Sequence, residues 1–188
     1  MISVQSAPKV FRVLGLDPGT RRFGWGVVER CGTRLRHVDH GVIEEGLEGP
    51  LGPRLVIIEK RLDEAIRTYQ PDAVAIETLF FAKDPQAASK LGHARAIGLL
   101  VAARAGLPIG EYQPTLIKKV IVGSGRAEKE QIARMVKALL ALQELTLLDA
   151  SDALAIAITH LNAPVTTAPA LATAMAMAMA KASRPRRK

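Results

Sequence analysis

The chain has 188 residues, 48% apolar and 23% charged, which suits one soluble globular domain with a sizeable core. A single cysteine, Cys31, excludes an intrachain disulfide and any multi-cysteine metal site. A net charge of +8 and a pI near 10.0 point to a nucleic-acid partner, while 4% aromatic residues argue against a large stacking platform. Residues 1–9 lack the apolar stretch of a secretory signal, and no apolar span suffices for a bilayer, so a membrane is not expected and the cytoplasm is.

Residues 10–16 read as a buried strand that closes on Asp17, after which Pro18-Gly19 forces a turn. Residues 23–29 read as a second strand, in which Gly24 and Gly26 mark a close approach or a bulge. Residues 34–44 alternate and complete an antiparallel meander. A helix opens between Pro50 and Pro53 and runs to about Tyr69, with Leu55, Ile58, Leu62, Ala65 and Ile66 on one face. Pro71-Asp72 leads into a strand over 73–76 that closes on Glu77. Asp84-Pro85 has the form of an N-cap and a first-turn proline, and the helix it opens runs to about Ala105. That helix is apolar nearly all round, so both its faces need cover, one from the sheet and the other open to a partner subunit. A short strand over 108–112 follows, then a helix over 113–121 and a glycine-rich loop over 122–126. The amphipathic segment 128–142 turns Ile132, Met135, Val136, Leu139 and Leu140 inward, and a last helix covers 149–161. This order predicts an α/β fold with a mixed sheet covered by helices. The domain spans 10–162, preceded by an extension over 1–9. It is followed by a disordered, basic, alanine- and methionine-rich tail over 163–188, which carries Lys181, Arg184, Arg186, Arg187, Lys188 and no acid.

Four carboxylates stand out. Asp17 and Glu77 end buried strands, where sites form in open α/β sheets. Asp149 and Asp152 lie three apart at the head of an apolar helix. Buried carboxylates are costly without positive compensation, and a hard divalent ion such as Mg²⁺ supplies it. Each acid also has a duller reading. Asp17 before Pro-Gly fits a turn initiator, Thr146 and Asp149 fit a capping box, and Asp152 fits a first-turn acid favoured by the helix dipole. Glu77, after four apolar strand residues, is the hardest to explain that way.

An ordered set of motifs resembles the RuvC-type Holliday-junction resolvases. They are Leu14-Gly15-Leu16-Asp17-Pro18-Gly19-Thr20, Ala75-Ile76-Glu77, Lys90-Leu91-Gly92-His93-Ala94-Arg95, Val122-Gly123-Ser124-Gly125-Arg126-Ala127-Glu128-Lys129 and Asp149-Ala150-Ser151-Asp152-Ala153-Leu154-Ala155. The resemblance implies an RNase H-like fold, a mixed five-stranded sheet with helices on both faces. It implies a homodimer that nicks opposed strands of a four-way DNA junction, leaving 5′-phosphate and 3′-hydroxyl ends, alongside the RuvA and RuvB branch-migration machinery. It implies a metal site of Asp17, Glu77, Asp149 and Asp152 holding two Mg²⁺ ions, with Mn²⁺ as a substitute; Asp17, because it ends the central strand, is the acid expected to be shared between them. Some relatives carry histidine where this chain has Asp149. The family's basic positions near the scissile phosphate fall on Lys118 and Lys129, and its aromatic wedge at the crossover on Phe80, beside Phe81. Lys83, Lys90 and Arg95 would add phosphate contacts. Lys129 heads a helix, where the dipole disfavours a cation, which hints at a reason for it; a solvated lysine and a core Phe80 remain the plainer alternatives. His93 and His160 read as structural, His160 with a positive charge favoured at a helix C-terminus.

Two other functions compete. The hairpin after Asp17, with Gly24 and Gly26, resembles the phosphate-binding hairpin of sugar kinases and actin-like ATPases, but those need a second lobe that this length does not supply. A module that binds junctions without cutting them would not need all four acids.

Overall fold

The structure is a computed structural model that describes residues 10–44, 46, 48–78, 85–143 and 148–163, with the backbone alone at 85–87. The expected meander is present as β1 (Val10–Asp17), β2 (Phe23–Cys31) and β3 (Arg34–Ile43). Then come α1 (Leu51–Tyr69), β4 (Ala73–Glu77), α2 (Pro85–Arg104) and β5 (Ile109–Tyr112). Three helices follow, α3 (Pro114–Val122), α4 (Lys129–Leu139) and α5 (Leu148–Asn162). The sheet order is β3-β2-β1-β4-β5, with β4 parallel to β1 and β5 parallel to β4. The sheet is therefore mixed and five-stranded, and β1 is its centre.

Strand alternation divides the core in two. Val13, Ala73 and Ala75 pack under α3, α4 and α5, whereas Leu14, Leu16, Val74 and Ile76 pack under α1 and α2. Helices thus cover both faces. On α1, Ile58, Leu62 and Ala65 are buried as the periodicity predicted. Alternation puts Asp17 and Glu77 on the α5 side, in step with Val13, Ala73 and Ala75.

The glycines of β2 mark close approach. A Cβ on Gly24 would be driven into the Asp149 carbonyl oxygen, and one on Gly26 would meet Leu154 at 2.8 Å. The bulge lies one step on, between Val27 and Val28. Gly15 of β1 gives α5 the same access, with Ala153 and Ala157 directly above it. Small residues on strand and helix let α5 lie close against the sheet, and most of its side chains are buried.

Two expectations, on α4 and at His160, are corrected. On α4, Ile132, Val136 and Leu140 are buried, but Met135 and Leu139 are exposed, because the inward stripe against α5 is narrower than the apolar one. On α2, the sheet covers one side as expected, through Leu16, Phe23 and Ile76 beneath Gly98; α1 packs beside it, and Leu100 stands 47% exposed. The charge expected on His160 is disfavoured by its burial. Its Nδ1 lies 2.8 Å from the Tyr112 hydroxyl, and burial holds its pKa below the usual imidazole value. Its contact with Tyr112 fits the structural role expected of it. Asp84 and residues 164–188 of the tail lie outside the described residues. Among those residues, no helix is long and apolar enough to cross a membrane.

Candidate metal centre

The site forms where three elements end together. Leu16 pairs with Ile76 across the parallel β1 and β4, so the next residues, Asp17 and Glu77, sit side by side at their carboxyl ends. Asp149 is the second residue of α5, and Asp152 follows at i+3 on the same helix face. Gly24, paired with Asp17 across β1 and β2, lets the first turn of α5 approach. One carboxylate oxygen each from Asp17, Asp149 and Asp152 lies within 4.8 Å of the others. Glu77 stands outside that tightest triangle but close enough to repel Asp17 and Asp152.

The electrostatics follow from this crowding. Asp17 is pushed up to about 8, first by burial, then by the charges of Asp152, Glu77 and Asp149, against relief from Lys129. Glu77 is raised by burial and by Asp152, with Lys129 and Lys118 opposing. Asp152 is raised by burial, opposed by Lys129 and Lys118. Lys129 Nζ donates to Asp152 Oδ2 at 3.2 Å, and Asp152 pushes the lysine's own pKa up. Lys129 is the first residue of α4 behind Glu128, whose backbone N–H donates to the Gln131 side chain at 2.9 Å. Its unfavourable position on the dipole is thus offset by the acids it faces. A pocket in which a carboxyl holds its proton near neutral pH has too few positive charges for its acids. That deficit, with an all-oxygen donor set, fits hard divalent cations.

The remaining predicted residues fall in different places. Lys118, half-buried on α3, directs its charge at Glu77 and Asp152. Lys90 is exposed on α2. Arg95 is engaged by the protein: its Nε donates to the Glu77 carbonyl at 3.0 Å and its guanidinium pairs with Glu111. It ties α2 to the end of β4. His93 Nδ1 lies 2.6 Å from the Ser89 carbonyl. Phe80, Phe81, Lys83 and Thr146 lie outside the described residues. One residue was missed. Arg22 Nε lies 2.6 Å from Asp149 Oδ2. Its position beside the Asp17 turn, in Thr20-Arg21-Arg22, was the available signal.

A mixed sheet in this order, with acids converging at strand ends against a helix, has the arrangement that an RNase H-like, metal-dependent nuclease requires. The comparisons with known proteins narrow that class. The family described as Crossover junction endodeoxyribonuclease RuvC matches residues 13–160. The Sorangium cellulosum crossover junction endodeoxyribonuclease RuvC is 55% identical over 152 residues, covering 81% of this chain and 85% of its own. The Methylorubrum extorquens protein of the same description is 51% identical over 149 residues, 79% of each chain. The structure of Thermus thermophilus RuvC in complex with Holliday junction substrate superposes with a TM-score of 0.75 at 36% identity, covering 80% of this chain and 93% of that one. The chain belongs to the RuvC family of crossover junction endodeoxyribonucleases, hydrolases that resolve four-way DNA junctions.

Proposed function

We propose that Asp17, Glu77, Asp149 and Asp152 hold the divalent cations, Mg²⁺ with Mn²⁺ as a substitute, for paired nicking of a four-way junction. The observation that carries this reading is the convergence of three carboxylates to within 4.8 Å, with Glu77 adjoining. Bound divalent cations supply Lewis acidity, activating water and neutralising phosphate charge. The protein's own groups do the rest. Asp17, repelled by all three other acids, is the carboxylate common to the cluster. Arg95 and the Thr78 N–H, which donates to the Tyr112 carbonyl at 2.8 Å, hold the end of β4 and so the backbone of Glu77. Lys129 and Lys118 set positive charge at the rim, where a phosphodiester would lie. Hydrolysis breaks the phosphorus–3′-oxygen bond, leaving a 3′-hydroxyl and a 5′-phosphate.

Phe80 is assigned the wedge that holds unstacked bases at the crossover, with Phe81, Lys83 and Lys90 beside the DNA; family membership supports this. The match over 13–160, together with elements between Val10 and Asn162, supports a nuclease domain over 10–162. The exposed Leu100 on α2 supports a homodimer. Partnership with RuvA and RuvB, and a cytoplasmic location, rest on family membership.

The test uses a synthetic mobile four-way junction with Mg²⁺. Asp17→Asn, Glu77→Gln and Asp152→Asn are each expected to lower the cleavage rate by on the order of a hundredfold or more, with junction binding retained in gel shifts. Cleavage at the normal rate by any of the three would remove that residue from the centre.

A further inference from the structure

The nuclease reading leaves Arg22 without a task. It is the residue immediately before β2, and the Phe23–Ile43 pairing puts it beside Glu44 at the end of the sheet. Its guanidinium spans two acids. Nε lies 2.6 Å from Asp149 Oδ2, and Nη2 lies 3.6 Å from Glu44 Oε2. Asp149 belongs to the cluster; Glu44 is half exposed outside it. Lys129 differs from Arg22 in this respect, since its charge reaches Asp152, Asp17 and Asp149 together. Arg22 therefore grips the cluster at one carboxylate with a second acid in reach.

A guanidinium cannot shed its charge at any ordinary pH, so it must be moved rather than neutralised when another cation arrives. A divalent ion at Asp149 and a guanidinium on the same carboxylate repel each other. The Arg22 side chain is 51% exposed, and Glu44 offers an alternative anchor. We propose that Arg22 is a displaceable counter-ion that holds Asp149 until a divalent cation binds and then transfers to Glu44. This rests on the metal centre described above. Arg22 is thus a positioning residue, and it tunes the centre's affinity for metal through Asp149.

The test is a titration of the full chain with Mn²⁺ in the absence of DNA, followed by electron paramagnetic resonance and calorimetry. Arg22→Gln is expected to tighten Mn²⁺ binding about two- to tenfold, because a competing cation is gone. Glu44→Gln is expected to weaken it by a similar factor, because the guanidinium loses its second anchor. The double variant should bind as Arg22→Gln does, since Glu44 acts only through Arg22, and Arg22→Lys should stay near the wild type. Unchanged or weaker binding by Arg22→Gln overturns the proposal and makes Arg22 a plain support for Asp149. If that variant does not fold, Glu44→Gln decides alone, and unchanged affinity there overturns the proposal. Asp17→Asn reports on the centre separately. A wild type that takes up no Mn²⁺ overturns the centre and this inference with it.

Discussion

Asp17 shows how a single residue stores the demand for a cation. Its carboxyl, at the end of the central strand, would ionise near 3.8 in the unfolded chain and near 8 in the folded one, with burial the main cause. Between those values the folded state binds more protons than the unfolded state, so stability falls as pH rises through that window. Glu77 and Asp152 are raised in the same direction and add to the slope. In a chelating buffer the melting temperature is therefore expected to decline from pH 5 to pH 8. Asp17→Asn should give a shallower profile and exceed the wild type in stability at pH 8. Adding Mg²⁺ at pH 8 should restore the wild type and have little effect on the variant, since a ligand stabilises only the state that binds it. Differential scanning calorimetry across this range checks the claim; a flat wild-type profile would mean that the acids are not confined together.

At the scale of elements, the site depends on how closely α5 lies on β1 and β2. Gly24 is the contact point, with the Asp149 carbonyl where a side chain would begin. Gly24→Ala is expected to destabilise by roughly 1–3 kcal/mol through overpacking and to weaken metal binding by shifting Asp149. Gly52 is the control. It lies in the first turn of α1 with nothing near its missing Cβ, so Gly52→Ala should be neutral or stabilise by up to about 1 kcal/mol. Thermal melts of the two variants separate close approach from general intolerance of glycine replacement. The same contact marks what was legible in the sequence. Apolar runs ending in Asp17 and Glu77 announced buried strands with acids at their ends, and Gly24 and Gly26 announced a close neighbour. Which element would be that neighbour was not legible, because α5 lies some 125 residues further along and periodicity reports burial, not partners. Arg22 with Asp149 and Arg95 with the Glu77 carbonyl escaped for the same reason. His160 was read from the helix dipole alone, whereas its enclosure beside Tyr112 disfavours that charge.

At the scale of the whole molecule, the activity needs two cuts, yet the described residues of one chain hold one acidic cluster. Paired nicks on opposed strands are the task of the homodimer proposed above, for which the exposed side of α2 is the candidate contact. The inner side of that helix packs on the sheet through Gly98 and Ala94, while Leu100 is exposed and Ile97 and Leu99 are only partly covered. In a two-fold dimer each α2 meets the same patch on its partner, so a charge introduced near the axis faces its own copy. Leu100→Glu is expected to halve the mass seen in sedimentation at micromolar concentration while leaving the melting temperature of the fold within a few degrees. Its metal centre should remain intact by Mn²⁺ titration. On a four-way junction it should nick single strands without coupling the second cut to the first. A variant that stays dimeric would move the interface away from α2. A monomer that still resolves junctions in coupled pairs would break the link between two copies and two cuts.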